Sequence, residues 1–138
     1  MKELSMVLER LGAGCTCAAS DGNNLLTSEK RGVAPLLGWL EQGENLTAFT
    51  VADKVVGKGA AFLYLLLNVK YLYAAVISRP ALELLRQNGV FVSFSTLVPA
   101  IRNRDNTGFC PIETAVLDCD CPQQALIKIK NRLKELKS

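Results

Sequence analysis

The sequence contains no histidine, which removes the commonest general base and metal ligand of proteins. Serine–histidine and cysteine–histidine catalysis are therefore excluded. Any proton transfer would need a Glu, Asp, Lys, Tyr or Cys side chain with a shifted pKa. The sequence also lacks long apolar runs, since the longest, residues 60–67, is far shorter than the ~20 residues that span a bilayer. Residues 1–20 do not have the pattern of a signal peptide. We therefore predict a cytoplasmic protein with no membrane partner.

Strong charge is absent as well. The formal net charge is only +3, and much of it lies in residues 128–134. A nucleic-acid-binding domain would be more basic and would carry a recognisable reading motif, so we predict no nucleic-acid partner. The five cysteines are odd in number, which argues against a disulfide framework in a cytoplasmic chain.

The composition is that of an ordinary folded domain. The 138 residues are 49% hydrophobic and 21% charged, and no repeat or linker interrupts them. A chain of this length buries roughly two-thirds of the surface that its unfolded form exposes. We predict a single domain over residues 1–138.

Apolar residues recur with helical spacing over residues 2–11, which predicts a first helix. Strands at residues 15–19 and 25–27 flank an Asp-Gly turn, a pattern typical of an antiparallel hairpin. The next elements are predicted in the order helix 33–42, strand 48–52, helix from about 54 to 67, strand 72–77, helix 80–87 and strand 91–95. A long loop, residues 98–109, and two helices at 111–117 and 122–137 complete the chain.

Alternating strands and helices favour right-handed parallel crossovers. The second half of the sheet should therefore be parallel, with helices on both faces. The prediction is an α/β fold, a three-layer α/β/α sandwich around a mixed five-stranded sheet that begins with an antiparallel hairpin. The loop at residues 98–109 is long enough to act as a lid.

The first candidate site lies at residues 53–60, where a predicted strand ends and a predicted helix begins. Asp53 would cap the helix, and Lys54 and Lys58 would share its first turns, where the helix dipole disfavours cations. A bound phosphate or carboxylate would compensate, and Gly57 would let it approach the backbone. Alternatively, both lysines reach water or pair with Asp53 and a nearby glutamate. The segment is not a Walker loop, because Gly59 follows Lys58.

The second candidate site is the segment TGFCPIE, residues 107–113. Pro111 fits the first helical position and Glu113 the third, so Cys110 takes the place of the usual Ser or Thr cap. A thiol at a helix N-terminus can have a lowered pKa and act as a nucleophile, although Glu113 would oppose this shift. Alternatively, Cys110 is a small buried hydrophobic residue.

Two cysteine pairs could in principle supply four thiolates to zinc. They are Cys15 with Cys17 and Cys119 with Cys121. A single intervening residue is unusual spacing for a structural zinc site, and on a strand Cys15 and Cys17 would both point into the core. We therefore predict no metal and no cofactor, and keep a thiolate site only as a third alternative.

Three blocks of the sequence resemble the prokaryotic family known as domain of unknown function 1893. They are RGVAPLL at 31–37, VADKVVGKGAA at 51–61 and NRDNTGFCPIE at 103–113, and the resemblance covers nearly the whole chain. It implies a cytidine deaminase-like fold. Zinc deaminases carry His/Cys-x-Glu and Pro-Cys-x-x-Cys motifs, but the matching positions here, 32–35 and 53–57, hold no zinc ligand set. The resemblance therefore implies a deaminase fold without zinc chemistry.

Together these observations predict a pocket that binds a phosphate-bearing small molecule such as a nucleotide or an ADP-ribose-like compound. The catalytic candidates are Cys110, Glu113 and Lys54, and the ligand-binding candidates are Asp53, Gly57, Lys58, Arg104, Thr107 and Gly108. In this interpretation Asp53 orients Lys54, and Arg104 closes from the lid. The alternative is a non-catalytic sensor or interaction module that uses the same pocket. The apolar surface of a short edge strand also allows a homodimer.

Overall fold

The structure of the chain, a computed structural model, describes residues 2–30, 32–102, 108 and 110–137. In these residues the elements are α1 (Lys2–Gly12), β1 (Cys17–Ser20), β2 (Leu25–Ser28), α2 (Ala34–Glu41), β3 (Thr50–Val56), α3 (Lys58–Leu66), β4 (Tyr71–Ser78), α4 (Arg79–Gln87), β5 (Phe91–Val98), α5 (Pro111–Ala115) and α6 (Pro122–Lys137).

The five strands form one mixed sheet in the order β2-β1-β3-β4-β5. β1 pairs antiparallel with both β2 and β3, whereas β3, β4 and β5 are parallel to one another. Asp21 closes the β1–β2 turn, because its Oδ1 accepts the N–H groups of Asn23 at 2.9 Å and Asn24 at 2.6 Å. Gly22 there has φ +97°, a backbone conformation that glycine adopts without steric cost. The predicted mixed sheet and its first hairpin are confirmed.

Helices flank both faces of the sheet, but unevenly. Successive strand residues point to opposite faces, so Val51 and Ala52 of β3 lie on the two faces of the sheet. Ala52 packs with Val7 of α1 in a small cluster, whereas Val51 belongs to the main core with residues of α2 to α6. The part of the α1 side formed by β4 and β5 is open. There Tyr71 and Phe91 stack with ring centroids 5.9 Å apart and are 46% and 75% exposed.

The helix α3 is the central helix of the main core. Every residue from Gly59 to Tyr64 is buried, as the nearly continuous apolar run predicts. Its start, however, differs from the prediction of about residue 54. β3 continues to Val56, since Val55 and Val56 pair with Val76 and Ile77 of β4, and β-branched residues suit a strand.

This shift of the boundary corrects two predictions. Asp53 lies in β3 and does not cap α3, whose N-cap is Gly57. Lys54 is an exposed residue of the same strand, so Lys54 and Lys58 do not share a helical turn.

The segment after β5 was predicted as a loop over residues 98–109. β5 runs three residues further than expected, to Val98, and residues 103–107 and 109 lie outside the described part of the chain. The two sides of the segment meet, because the Cys110 N–H donates to the carbonyl of Ile101 at 3.1 Å. This hydrogen bond holds Cys110, which precedes α5, beside Ile101, which follows β5. The lid interpretation stays a prediction.

Candidate functional site

A cavity of about 530 Å³ opens where β3 ends. Asp53 and Lys54 of β3 line it, Cys17 lines it from β1, and Cys110 and Glu113 line it from the start of α5. Ligands of open α/β sheets bind beyond the carboxyl ends of the strands, which is where this cavity lies.

Five of the predicted site residues line this one cavity: Asp53, Lys54, Gly57, Cys110 and Glu113. They come from segments more than fifty residues apart in sequence. Their proximity depends on the way in which α5 packs beside the N-terminus of α3.

Of the other predicted residues, Lys58 and Gly108 do not line it. Lys58 points elsewhere: its Nζ donates to the Leu117 carbonyl at 2.9 Å, lies 5.6 Å from the Phe62 ring centroid, and borders a second cavity of about 480 Å³. Gly108 lines neither cavity. Arg104 and Thr107 lie outside the described residues. Lys54 and Lys58 therefore line different cavities.

Glu113 occupies the position that we predicted for a bound anion. Its Oε1 accepts the Lys58 N–H at 2.6 Å and its Oε2 accepts the Gly59 N–H at 2.9 Å, so it caps α3 from outside the helix. Gly57 makes this approach feasible, because a Cβ there would lie 2.6 Å from Oε2 of Glu113. Cys110 is the N-cap residue of α5 and Pro111 its first residue, as predicted, but the Cys110 side chain makes no cap hydrogen bond.

A buried hydrogen-bonded network forms the inner wall of the cavity. Tyr64 Oη donates to Asp53 Oδ2 at 2.6 Å, and Cys17 Sγ lies 3.2 Å from Tyr64 Oη. A tyrosine hydroxyl has a single proton to donate. Because Tyr64 donates it to the hydrogen bond with Asp53, the Cys17 thiol must be the donor in its hydrogen bond with Tyr64. The second oxygen of Asp53, Oδ1, accepts the Val55 N–H at 3.3 Å.

Burial shifts the titration of all three groups. Burial raises the pKa of Asp53 from 3.8 to about 7, although the hydrogen bonds from Tyr64 and from the backbone oppose the shift. Burial, followed by the charge of Asp53, raises the pKa values of Cys17 and Tyr64 well above their ordinary range. Cys17 therefore stays a thiol at neutral pH, while Asp53 exchanges its proton there. In a chain without histidine, Asp53 titrates in the range in which histidine usually acts.

Comparison with known proteins identifies the family of the chain. Its residues 5–133 match the sequence profile of the domain of unknown function DUF1893. The chain belongs to the DUF1893 family. A DUF1893 family protein from Thermotoga maritima, solved by crystallography, is similar to it with 29% sequence identity and a TM-score of 0.83. The similarity covers 97% of this chain and 90% of the Thermotoga chain. No curated protein matches significantly. The family resemblance inferred from the three sequence blocks is confirmed.

Sequence reasoning missed three features of this DUF1893 cavity: Cys17 and Tyr64 in its wall network, and Arg102 in its lining. The inward direction of Cys17 followed from strand alternation, but its partner did not. Tyr64 lies in a run of apolar helical residues, where nothing local shows that its hydroxyl reaches Asp53 of a neighbouring strand. Arg102 lies just before the segment that carried the predicted Arg104.

Among the described residues of this DUF1893 chain, the two cysteine pairs differ in burial. Cys17 and Cys119 are buried whereas Cys121 is exposed, and all five cysteines are free. In the part of the chain that the structure describes, no group of three or more His, Cys, Asp or Glu residues could hold a metal ion. Among the same residues, no helix has the length and apolar character needed to cross a membrane.

Proposed function

We propose that this DUF1893 protein binds a phosphate-bearing small molecule, of the nucleotide or ADP-ribose type, in the cavity beyond β3. The observation that carries the proposal is the charge of the cavity lining. Lys54 and Arg102 supply two cations, the negative charge of Glu113 is held by two backbone N–H groups, and Asp53 is only partly ionised near neutral pH. A cavity lined in this way favours an anion. Its volume of about 530 Å³ also suits a small ligand.

The structure changes the roles within this proposal. Lys54 remains the predicted anion-binding residue: it is exposed, and its ammonium has no side-chain partner among the described residues. Arg102 lines the cavity, whereas Arg104, the predicted lid residue, lies outside the described residues. Glu113 and Gly57 become structural residues that join α5 to α3, and Lys58 joins α3 to Leu117. For an enzyme, Cys110 is the nucleophile of this proposal.

A second candidate function is a non-catalytic sensor that uses the same cavity. It is favoured by the position of Glu113, since the carboxylate predicted to assist Cys110 is bonded to the amides of α3 instead. Replacing Cys110 by Ser separates the two functions. A sensor keeps its ligand affinity in the Cys110→Ser variant, whereas a thiol enzyme keeps affinity but loses turnover.

The remaining predictions belong to the same proposal. The cytidine deaminase-like fold is supported by the order of a helix, an antiparallel hairpin and alternating helices and strands. A cytoplasmic location agrees with five free thiols. We propose neither a nucleic-acid nor a membrane partner. A homodimer would cover the exposed Tyr71 and Phe91, and the molar mass in solution, measured for wild type and for Phe91→Ser, tests it.

The binding proposal is tested by isothermal titration calorimetry with ADP and ADP-ribose, together with native mass spectrometry of the purified protein. We expect Lys54→Gln to weaken binding by about tenfold or more, because a charge-assisted hydrogen bond contributes roughly 1.5–3 kcal/mol. The matched control is Lys70→Gln, since Lys70 is also exposed but precedes β4 at the opposite end of the parallel strands. No co-purified ligand and no binding of either probe would refute the proposal, as would equal effects of the two variants.

A further inference from the structure

Asp53 is a polar residue of the cavity wall to which the proposed function assigns no contact with the ligand. It is 6% exposed and is held from two sides, by Tyr64 at Oδ2 and by the Val55 N–H at Oδ1. These contacts fix the carboxyl group of Asp53, a residue in the middle of β3, on the cavity wall. It cannot turn away from an incoming ligand without breaking both hydrogen bonds.

We propose that Asp53 is a specificity-determining residue that couples binding to protonation, an inference that rests on the proposed function. The cavity takes up an anionic ligand together with one proton on Asp53. The ligand class is a phosphate ester or pyrophosphate diester that directs an acceptor oxygen toward this wall. Protonated Asp53 can donate a hydrogen bond to such an oxygen, whereas ionised Asp53 can only accept.

The physical reason is charge repulsion at a buried site. A carboxylate and a phosphate oxygen in one largely buried wall repel each other, and burial itself disfavours the carboxylate. A bound anion therefore favours the protonated acid, and by linkage the protonated acid binds the anion more tightly. Lys54 and Arg102, on the same cavity, attract the ligand at either protonation state of Asp53.

The surroundings of Asp53 place this coupling near neutrality. Burial raises its pKa to about 7, so the proton is exchanged within the physiological range. The groups that face it are Tyr64 from α3 and Cys17 from β1, and Lys54 is its sequence neighbour in β3. The other titratable or charged groups on the cavity are Arg102, Cys110 and Glu113. Of these, Cys110 is the residue that the Cys110→Ser variant controls for.

The test is calorimetric titration of ADP-ribose at several pH values between about 6 and 9, where its pyrophosphate diester keeps a constant charge and only the protein titrates. For wild type we expect the affinity to fall above pH about 7, approaching tenfold per pH unit, with uptake of up to one proton in buffers of different ionisation enthalpy. Asp53→Asn should bind with an affinity that changes less than about twofold over the same range.

Three further variants complete the experiment. Cys110→Ser should keep the pH dependence of wild type, and Asp120→Asn, which changes an exposed aspartate after α5, should keep it as well. Tyr64→Phe removes a hydrogen bond that lowers the pKa of Asp53, so the fall in affinity should move to higher pH. Tyr64 is a positioning residue here, and a merely structural role would weaken binding without moving the profile.

The outcomes are distinguishable. Tight binding of ADP-ribose that is independent of pH, without proton uptake, overturns the inference and leaves the proposed function standing. A pH dependence that persists in Asp53→Asn, or disappears in Cys110→Ser, assigns the proton to another group and also overturns it. Failure to bind at any pH, in wild type and variants, overturns both. If Asp53→Asn does not fold, proton uptake by wild type and the shifted profile of Tyr64→Phe decide the question.

Discussion

The cap that Glu113 provides for α3 is the contact on which the shape of the cavity depends most directly. Two carboxylate oxygens accept two N–H groups of the first turn, from a residue 55 positions along the chain. Replacing a local helix cap by Ala costs about 0.5–2 kcal/mol, and hydrogen bonds to charged groups contribute roughly 1.5–3 kcal/mol. Glu113 is only half-buried, so water can replace part of the interaction. We therefore expect Glu113→Ala to lower the free energy of unfolding by about 2–3 kcal/mol, and Glu113→Gln by about 1–2 kcal/mol.

The measurement is equilibrium unfolding in urea followed by the fluorescence of Trp39, which is the single tryptophan and is 6% exposed. A loss of 2–3 kcal/mol lowers the urea midpoint by roughly 1 M at an unchanged slope. The matched control is Glu83→Gln on the exposed side of α4, for which we expect a change within about 0.5 kcal/mol. Glu113→Ala with the stability of wild type would refute the reasoning, because the two hydrogen bonds to this carboxylate would then contribute nothing to stability.

Three further predictions concern the same cavity. Gly57→Ala should destabilise the protein by about 1–3 kcal/mol, since the new Cβ would meet the Glu113 carboxylate. Its control is Gly38→Ala in α2, where a new Cβ meets no atom within 4 Å and the change should be neutral or stabilising. Both variants are measured by unfolding in urea. The contribution of Asp53 to stability is greatest below pH 3.8 and is lost as pH rises to about 7, because its folded-state pKa is raised. Relative to Asp53→Asn, the free energy of unfolding of wild type should fall by on the order of 4 kcal/mol across that window. Parallel pH profiles of the two proteins would contradict this. Tyr64→Phe should cost about 1–3 kcal/mol, measured by the same unfolding experiment, since it leaves buried polar groups without their partner; an unchanged midpoint would show that water replaces the hydroxyl.

Most of the fold could be predicted because its signals are local. The helical spacing of α1, the turn residues Asp21 and Gly22, and the alternation of later strands and helices are each contained in short stretches of sequence. The start of α3 was misplaced because residues 54–56 suit either a strand or a helix by local preference. Hydrogen bonding of β3 to β4 decided for the strand, and this pairing is a tertiary contact.

The candidate site was predictable only in part, for the same reason. The sequence placed Asp53, Lys54 and Cys110 near the ends of elements, and the fold brings them to one cavity. It did not show that Lys58 turns toward Leu117, since the direction of a flexible side chain depends on what packs beside it.

By itself the sequence determined the kinds of element, their order, the family, and the absence of histidine and zinc-deaminase motifs, because these follow from residue identity and short-range periodicity. The tertiary structure alone decided that Glu113 caps a helix 55 residues earlier in the chain and that Tyr64 hydrogen-bonds Asp53. The strength of such contacts, and the raised pKa of Asp53 that accompanies them, depends on burial and on atoms that lie far away in sequence. Chemistry at this cavity is therefore a property of the packed molecule and not of any one of its segments.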